Sequence, residues 1–397
     1  MSAANRVASP GADLRVGIGL ASLGFLLAGI GPYLLLLGAE LHRDGADLVW
    51  LSSAFGVGLL IVAATGPLLM RAGAGQVLRA AALTAALGVT AMATTALLPV
   101  AGTGALLVGL GGAALVLVTP ALIRGRAAAA RLTRVNAAAS VAGILAPVGI
   151  GALEHAGIHG RLALLVPLPA LLLLAIRRPV PVPVPPSSGP GRPAAARITV
   201  DRVTVARISV ARITAAWARV VLAVSGEFCF VVWGVARIRD VGAANAVAAV
   251  LGAAFPVGMA LGRLLGPRFA GHPAVVPAGA LTAMIGTGLG SLGGDPWTVT
   301  AGLGVAGLGI AVLYPVTLAQ LVATPGMAAQ HSAPPGALAS GTAVLAAPAL
   351  LAALSGVASL RIAFLLPIPL LALLVALPVP ARRLTLGGPA RRSRVAP

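Results

Sequence analysis

The sequence contains no lysine, a single cysteine and few charged or aromatic residues. Charged residues make up 9% and aromatic residues 3% of its 397 residues, whereas an ordinary soluble domain is about 25% charged. So few charges cannot cover a water-exposed surface, which excludes soluble enzymes, nucleic-acid-binding proteins and disordered tails despite the formal net charge of +19. The single cysteine, Cys229, excludes an intramolecular disulfide and any metal or iron–sulfur site made of several cysteines.

Long apolar runs make up most of the chain, which is 58% hydrophobic. A helix needs about 20 apolar residues to cross the hydrocarbon of a bilayer. The first run is too long for the core of a signal peptide and is followed by similar ones, which predicts a retained first span. The twelve predicted spans, in two groups of six, are 16–39, 48–70, 76–98, 102–123, 135–153 and 158–176, then 216–236, 243–265, 273–293, 297–322, 336–357 and 362–380.

The distribution of arginine predicts the orientation of these spans. If the N-terminus is cytoplasmic, every arginine falls inside except Arg43, Arg161, Arg237, Arg239 and Arg361. Cytoplasmic loops carry this kind of excess, so we predict an all-α, multi-pass protein of the cell membrane with both termini in the cytoplasm. The predicted parts are a cytoplasmic tail (1–15), a six-helix half (16–176), a basic linker (177–215), a second six-helix half (216–380) and a basic tail (381–397).

The predicted linker contains arginine at every fifth position. The members of this series are Arg197, Arg202, Arg207 and Arg212. A period of five matches neither a helix nor a strand, so no single face collects the charge. We interpret the segment as a cytoplasmic linker that lies on anionic lipid headgroups. A regulatory or partner-binding role is the alternative.

The two halves match each other at an offset of 200 residues. The matched pairs include Ser140 and Ser340, Arg161 and Arg361, Pro167 and Pro367, and Pro169 and Pro369. Matches of alanine or leucine are frequent by chance in this composition, so the arginine and Pro-x-Pro register carries the evidence. It predicts that spans 5–6 and 11–12 are two copies of one unit within a repeat architecture.

Local motifs add a family resemblance to this architecture. The loop after span 2 has the spacing G-x-L-x-D-R-x-G-R at Gly66, Leu68, Arg71 and Gly73, and the loop after span 8 repeats it at Gly262, Arg263, Leu264 and Arg268. Span 5 has a Gly/Pro-rich pattern at Gly143, Pro147, Gly149 and Gly151, similar to one common among proton-driven exporters. With six-plus-six spans and a basic central loop, the sequence resembles the major facilitator superfamily, and in particular its actinobacterial members.

The resemblance implies two six-helix halves that move against each other, with the loops at 66–73 and 262–268 controlling closure on the cytoplasmic side. In the family, an acidic residue in such a loop locks the outward-facing state. Met70 and Pro267 occupy the acidic positions here, so the resemblance implies a weaker lock. Span 4 also lacks the intramembrane arginine that many drug exporters carry.

Glu227 is the residue least expected in its surroundings. It lies about 18 Å along span 7, near the bilayer midplane, where a charged group must face a cavity, be paired or be protonated. No basic residue is predicted at a comparable depth, which favours a reversibly protonated carboxyl group that couples transport to protons. The alternative is a neutral acid that bonds to a neighbouring carbonyl. Trp233, which follows Phe228 and Phe230, is predicted to share the pocket of Glu227.

Three further residues are candidates for the transport pathway. Asn136 opens span 5, while Tyr33 in span 1 and Tyr314 in span 10 lie beside prolines that free backbone carbonyls. For Asn136, helix capping or interhelical bonding is an equal alternative. For the two tyrosines the alternative is core packing with a bonded hydroxyl.

These observations together predict a secondary active transporter that exports a hydrophobic or amphiphilic small molecule in exchange for protons, as a monomer. An uptake permease for a small metabolite, or a non-transporting receptor or scaffold, is the alternative. An enzyme is not predicted, because no polar cluster shares one depth. We also predict no cofactor, no nucleic-acid partner and no metal site, since the only suggestive group is Glu154, His155 and His159 in an outer loop.

Overall fold

A computed structural model describes residues 10–123, 128–177, 202–269, 272–324 and 333–379. Within these ranges the chain is helical and contains no strand. Residues 1–9 of the predicted N-terminal tail, residues 178–201 of the predicted linker and the predicted C-terminal tail, 381–397, lie outside the described residues.

Twelve helical segments correspond to the twelve predicted spans. In the first half they are Pro10–Leu41, Gly45–Leu69, Ala74–Thr94, Leu98–Leu122, Ala128–His155, and a sixth made of the 3-10 segment Gly160–Leu165 and the helix Leu168–Ile176. In the second half they are Arg202–Asp240, Asn245–Leu251 with Ala254–Leu265, Val275–Leu292, Pro296–Ile310 with Leu313–Val322, Ala333–Val357, and Leu360–Ala363 with Pro367–Ala376. Ten of these segments are long and apolar enough to cross a membrane, whereas spans 6 and 12 are shorter apolar helices.

The helix of span 7 begins at Arg202, inside the segment predicted as linker. No proline or glycine interrupts the sequence between Arg202 and Ser225, so nothing ends the helix at the predicted boundary. Arginines five residues apart are separated by about 140° around a helix, which distributes their charge without preventing helix formation. The segment 202–215 is thus helical, while the apolar part of span 7 begins at Val210.

The packing of the helices repeats between the two halves. Span 1 packs on span 5, and spans 2 and 3 pack on span 4; in the second half, span 7 packs on span 11, and spans 8 and 9 pack on span 10. Each pair in the first half thus has its counterpart six spans later. The halves meet through span 2 against span 11, span 5 against span 8, and span 1 against span 7. Polar side chains on these facing surfaces are the candidates for a transport pathway.

Glycine allows the same close crossing of helices in both halves. A Cβ atom at Gly109 in span 4 would lie 2.2 Å from the carbonyl oxygen of Phe55 in span 2. A Cβ atom at Gly307 in span 10 would lie equally close to the carbonyl oxygen of Phe255 in span 8. Any larger residue would have to separate the two helices, and such small-residue contacts are a common basis of helix packing in membranes.

Arginine side chains satisfy the carbonyl groups at several helix C-termini. The guanidinium of Arg79 donates to Ala175, that of Arg219 to Leu374 and Leu377, and that of Arg237 to Ser291 and Gly293. The last carbonyls of a helix have no partner within the helix, and a cation is favourable there. These arginines therefore tie span 3 to span 6, span 7 to span 12 and span 7 to span 9.

Asp295 caps the N-terminus of the helix of span 10. Its carboxylate accepts hydrogen bonds from the backbone amides of Trp297 and Thr298 and from the Thr298 hydroxyl. The bonds from the Thr298 hydroxyl and amide lower the pKa of Asp295 below its ordinary value of 3.8. The charged form of Asp295 is thus the form that caps this helix.

Candidate functional site

Glu227 lies at mid-depth on span 7, as the sequence predicts. At 1.5 Å per residue it is about 20 Å from Asp240 at the outer end and about 26 Å from Val210, where the apolar part of the helix begins. Glu227 is half-buried, whereas Gly226 and Phe228 on either side are buried. Its carboxyl oxygens accept no hydrogen bond from the described residues and are not sealed in the core. Glu227 is therefore partly accessible and has no hydrogen-bond partner among the described residues.

Groups from three other spans of the second half lie around this carboxyl group. Arg263 of span 8 and Tyr314 of span 10 are within electrostatic reach of Glu227. Ser340 of span 11 is a further polar neighbour of Tyr314. The structure thus brings together two predicted site residues, Glu227 and Tyr314, with one residue predicted as part of a gating loop.

Arg263 also connects the two halves of the molecule. Its guanidinium donates a hydrogen bond of 2.8 Å to the Ser140 hydroxyl on span 5. The Ser140 hydroxyl lies 3.0 Å from the carbonyl oxygen of Asn136, to which it donates. Asn136 is exposed one turn closer to the cytoplasmic end on the same helix face. We call Glu227, Arg263, Ser140 and Asn136 the polar strip: hydrogen bonds join Arg263 to Ser140 and Ser140 to Asn136, and electrostatic attraction without an ion pair relates Arg263 to Glu227.

Arg263 is a charged neighbour of Glu227 that its position along span 8 does not indicate, although no ion pair joins the two side chains among the described residues. The backbone of Arg263 lies near the cytoplasmic end of span 8, at a different membrane depth from the backbone of Glu227. Arg263 is exposed, and its long side chain reaches Ser140 at the boundary between the halves, in the way that arginines near helix ends extend toward polar surroundings. The position of an arginine along its helix therefore does not give the membrane depth of its guanidinium group.

Tyr33 is not brought to this site. It is 0% exposed and lines a small apolar cavity inside the first half, beside Ser52 and Phe55. Its hydroxyl has no hydrogen-bond partner among the described residues, and the nearest charges are the paired side chains of Glu40 and Arg161. The structure thus places Tyr33 in the interior of one half and away from the boundary between the halves.

Trp233 lies in the outer part of span 7, apart from Glu227. It is 4% exposed, and its indole N–H donates a hydrogen bond of 3.2 Å to the carbonyl oxygen of Pro348 in span 11. Its ring also lies against Gly45 at the start of span 2. Nearby, a Cβ atom at Gly31 would lie 2.4 Å from the carbonyl oxygen of Val231. Trp233 belongs to the region where the outer ends of the halves are in close contact.

The remaining residues of the two loop motifs are exposed or serve helix packing. Arg71 and Arg268 are exposed, and Gly66 is in ordinary contact with Leu117. Gly73 has a φ of 88° directly before span 3, a conformation that only glycine adopts easily. Gly262 packs against span 10, where a Cβ atom would lie 2.5 Å from the carbonyl oxygen of Leu308.

The span-5 motif forms contacts on two sides of that helix. Gly143 faces span 1 at Gly24, and Gly151 faces span 8, where a Cβ atom would lie 2.6 Å from the carbonyl oxygen of Ala246. Pro147 lies between them inside the helix. The two glycines thus let span 5 pack closely against span 1 of its own half and against span 8 of the other half.

Ser140 and Ser340 are site residues that the sequence reasoning did not select. They were visible there only as a matched pair in the repeat. In the structure Ser140 accepts the bond from Arg263 and Ser340 interacts with Tyr314. A polar residue that recurs at equivalent positions of two facing halves was the signal that could have identified both.

Similarity to known proteins is found at the level of structure. No family model and no curated protein matches the sequence. Among solved structures, the nucleoside transporter NupG (D323A mutant) aligns over 92% of this chain and 98% of its own, with a TM-score of 0.69 and 13% identity. Another NupG structure gives a TM-score of 0.65 at the same identity and coverage. FucP, a Major Facilitator Superfamily transporter in the outward conformation, gives 0.57 at 16% identity and the same coverage.

The chain has the major facilitator superfamily fold. The predicted all-helical architecture of two six-span halves is thereby confirmed, and with ten helices long enough to span a bilayer the chain is a multi-pass membrane protein.

Proposed function

We propose that the chain is a secondary active transporter of the cell membrane that exports a small molecule in exchange for protons, with Glu227 as the coupling group. The observation that carries this proposal is the polar strip from Glu227 through Arg263 to Ser140, which crosses the boundary between the halves. Transporters built from repeats bind their substrates and coupling ions near the midplane at this kind of boundary. An acid at this depth is functional by default.

The strip suggests how protonation of Glu227 changes the contact between the halves. A deprotonated Glu227 attracts the guanidinium of Arg263 toward the second half. A protonated Glu227 loses that attraction, and Arg263 is then held by Ser140 of the first half, as its 2.8 Å bond illustrates. Because one guanidinium serves both partners, the proton on Glu227 biases the bond between the halves.

The surroundings of the strip favour an amphiphilic substrate. The buried side chain of Phe228 adjoins Glu227 in the chain, and Phe230 and Phe255 stack on each other in spans 7 and 8, while the carboxyl group, the guanidinium and the hydroxyls supply a few polar contacts. Small-molecule sites commonly combine an apolar wall with few polar groups in this way. Export is proposed on the span-5 resemblance, and nucleosides belong in the test because NupG, a nucleoside transporter, has a similar structure.

A transport assay with Glu227→Gln tests the proposal. Cells that lack their major exporters would express the native chain or the variant, and accumulation of labelled amphiphiles, nucleosides, amino acids and sugars would be measured with and without a protonophore. We expect lower accumulation of at least one compound with the native chain. Glu227→Gln or the protonophore should restore accumulation to the level of cells without the protein, because glutamine cannot exchange a proton.

Asp47→Asn is the matched control, since it makes the same acid-to-amide change at an exposed outer position and should leave accumulation as in the native chain. Higher accumulation with the native chain would mean uptake. Equal accumulation of every compound with native chain and Glu227→Gln, at equal membrane insertion, would favour a receptor or scaffold and contradict the proposal.

A further inference from the structure

A groove between the cytoplasmic ends of spans 1 and 5 has both the shape and the chemistry of a lipid site. Its volume is about 410 Å³. Span 1 lines it with Leu14, Gly17, Ile18 and Ala21, and span 5 lines it with Val135 and Ala138. The two helices approach at the floor, where a Cβ atom at Gly17 would lie 3.9 Å from Val135. From Asp13 to Ala21 the groove extends about 12 Å along span 1.

Charged side chains are confined to one end of this groove. Asp13, Arg131 and Arg134 line it there. Asp13 and Arg134 are the first residues of the apolar parts of spans 1 and 5, which is the depth of lipid headgroups. Arg131 is paired with Asp13, so their charges offset each other. Arg134 is exposed and has no hydrogen bond or ion pair with the described residues, which leaves the groove entrance with a net positive charge.

The groove opens toward the hydrocarbon and away from the boundary between the halves. On span 5, Ser140 and Gly151 mark the face that contacts span 8. Ala138, Val141 and Leu145 lie on another face, because Val141 is rotated by about 100° from Ser140. Val141 is 57% exposed and Leu145 is 56% exposed. Apolar side chains with this exposure on a membrane-spanning helix face lipid, and Ala138 and Arg134 continue their stripe toward the cytoplasm.

We propose that this groove binds one anionic glycerophospholipid of the cytoplasmic leaflet, with its phosphate at Arg134 and Arg131 and an acyl chain along Ile18, Ala21 and Ala138. The charge complementarity at the entrance and the apolar groove below it match the two parts of such a lipid. Basic pockets between helices on the cytoplasmic side are a known mode of anionic lipid recognition. The site is separate from Glu227 and does not depend on the proposed transport function.

Native mass spectrometry of the purified full chain tests this site, by titration with phosphatidylglycerol and with phosphatidylcholine of the same acyl chains. We expect phosphatidylglycerol to bind more tightly. Arg134→Gln should weaken its binding about five-fold, the effect of one basic residue near a membrane surface, and leave phosphatidylcholine unchanged. Ala138→Phe, which fills the apolar groove without changing charge, should weaken the binding of both lipids.

Arg268→Gln is the matched control, because it removes one exposed arginine at the cytoplasmic end of span 8, outside the groove. Equal weakening by Arg268→Gln and Arg134→Gln, or equal affinity for the two lipids, would overturn the proposal. Displacement of phosphatidylglycerol by glycerol phosphate, which has no acyl chain, would also overturn it, since the site would then recognise a soluble phosphate.

Discussion

Arg219 shows how one buried cation holds two helices of this protein together. It is 2% exposed, and its guanidinium donates hydrogen bonds of 2.7 Å to the carbonyl oxygens of both Leu374 and Leu377. These carbonyls lie at the end of span 12, and within a membrane no water is available to satisfy them. The charge of Arg219 therefore has a structural role.

We expect Arg219→Gln to lower the thermal stability of the purified protein. Hydrogen bonds to a charged group contribute about 1.5–3 kcal/mol each, and glutamine can replace at most part of the two bonds. The melting temperature in detergent, followed by fluorescence, measures the effect. Arg212→Gln on the same helix removes an exposed arginine and should leave the melting temperature unchanged. Equal melting temperatures for the native chain and Arg219→Gln would show that span 12 does not need this contact.

At the scale of helices, glycines at close helix crossings show that the repeat extends to spans that do not match at the offset of 200 residues. Gly58 and Gly258 occupy equivalent contacts of spans 2 and 8, at the offset of 200. Gly109 and Gly307 also occupy equivalent contacts, of spans 4 and 10, but at an offset of 198. The chain from Gly58 to Gly109 is thus two residues longer than the chain from Gly258 to Gly307. Comparison at one offset finds the repeat in spans 5 and 6 and misses it in spans 3 and 4.

We expect Gly109→Ala and Gly307→Ala to destabilise the protein to a similar extent. In both cases the new methyl group would lie 2.2 Å from a carbonyl oxygen, and forcing extra atoms into a packed contact typically costs about 1–3 kcal/mol. Melting temperatures of the two purified variants measure the effect.

Gly288→Ala is the control for this pair, because a Cβ atom there would meet nothing within 4 Å. It should be neutral or stabilising by about 0.5–1 kcal/mol, since alanine favours a helix more than glycine does. A large loss of stability in only one of the two crossings would contradict their structural equivalence.

At the scale of the whole molecule, the sequence predicts the architecture better than the site. A bilayer can be crossed only by long apolar helices whose backbone groups are hydrogen-bonded, so the apolar runs in the sequence predict the twelve spans. A single acidic residue such as Glu227 is conspicuous within such a run. The neighbours of Glu227 depend on the path of the chain and on side-chain reach. Arg263 is distant by residue depth, and Ser140 is an ordinary helix residue until span 8 packs against span 5.

A close contact between spans 1 and 7, one turn outward of Glu227, gives a direct test of alternating access. A Cβ atom at Gly31 of span 1 would lie 2.4 Å from the carbonyl oxygen of Val231 of span 7, so Gly31→Ala should separate the halves on the outer side of Glu227. A clash that costs about 1–3 kcal/mol shifts the balance between two conformations by about five-fold or more. The variant should therefore favour the conformation that is open outward and closed toward the cytoplasm.

Cysteine labelling in a Cys229→Ala background measures this shift, because Cys229 is the single cysteine. Asn136→Cys introduces a thiol at an exposed position near the cytoplasmic side, and a membrane-impermeant maleimide added from that side reports its accessibility. We expect Gly31→Ala to slow this labelling at least about five-fold, in line with the shift of the equilibrium. Gly29→Ala, whose methyl group would contact Leu164 within the first half, should have no such effect. Unchanged labelling with Gly31→Ala, or equal slowing by both variants, would mean that the outer contact does not control opening toward the cytoplasm.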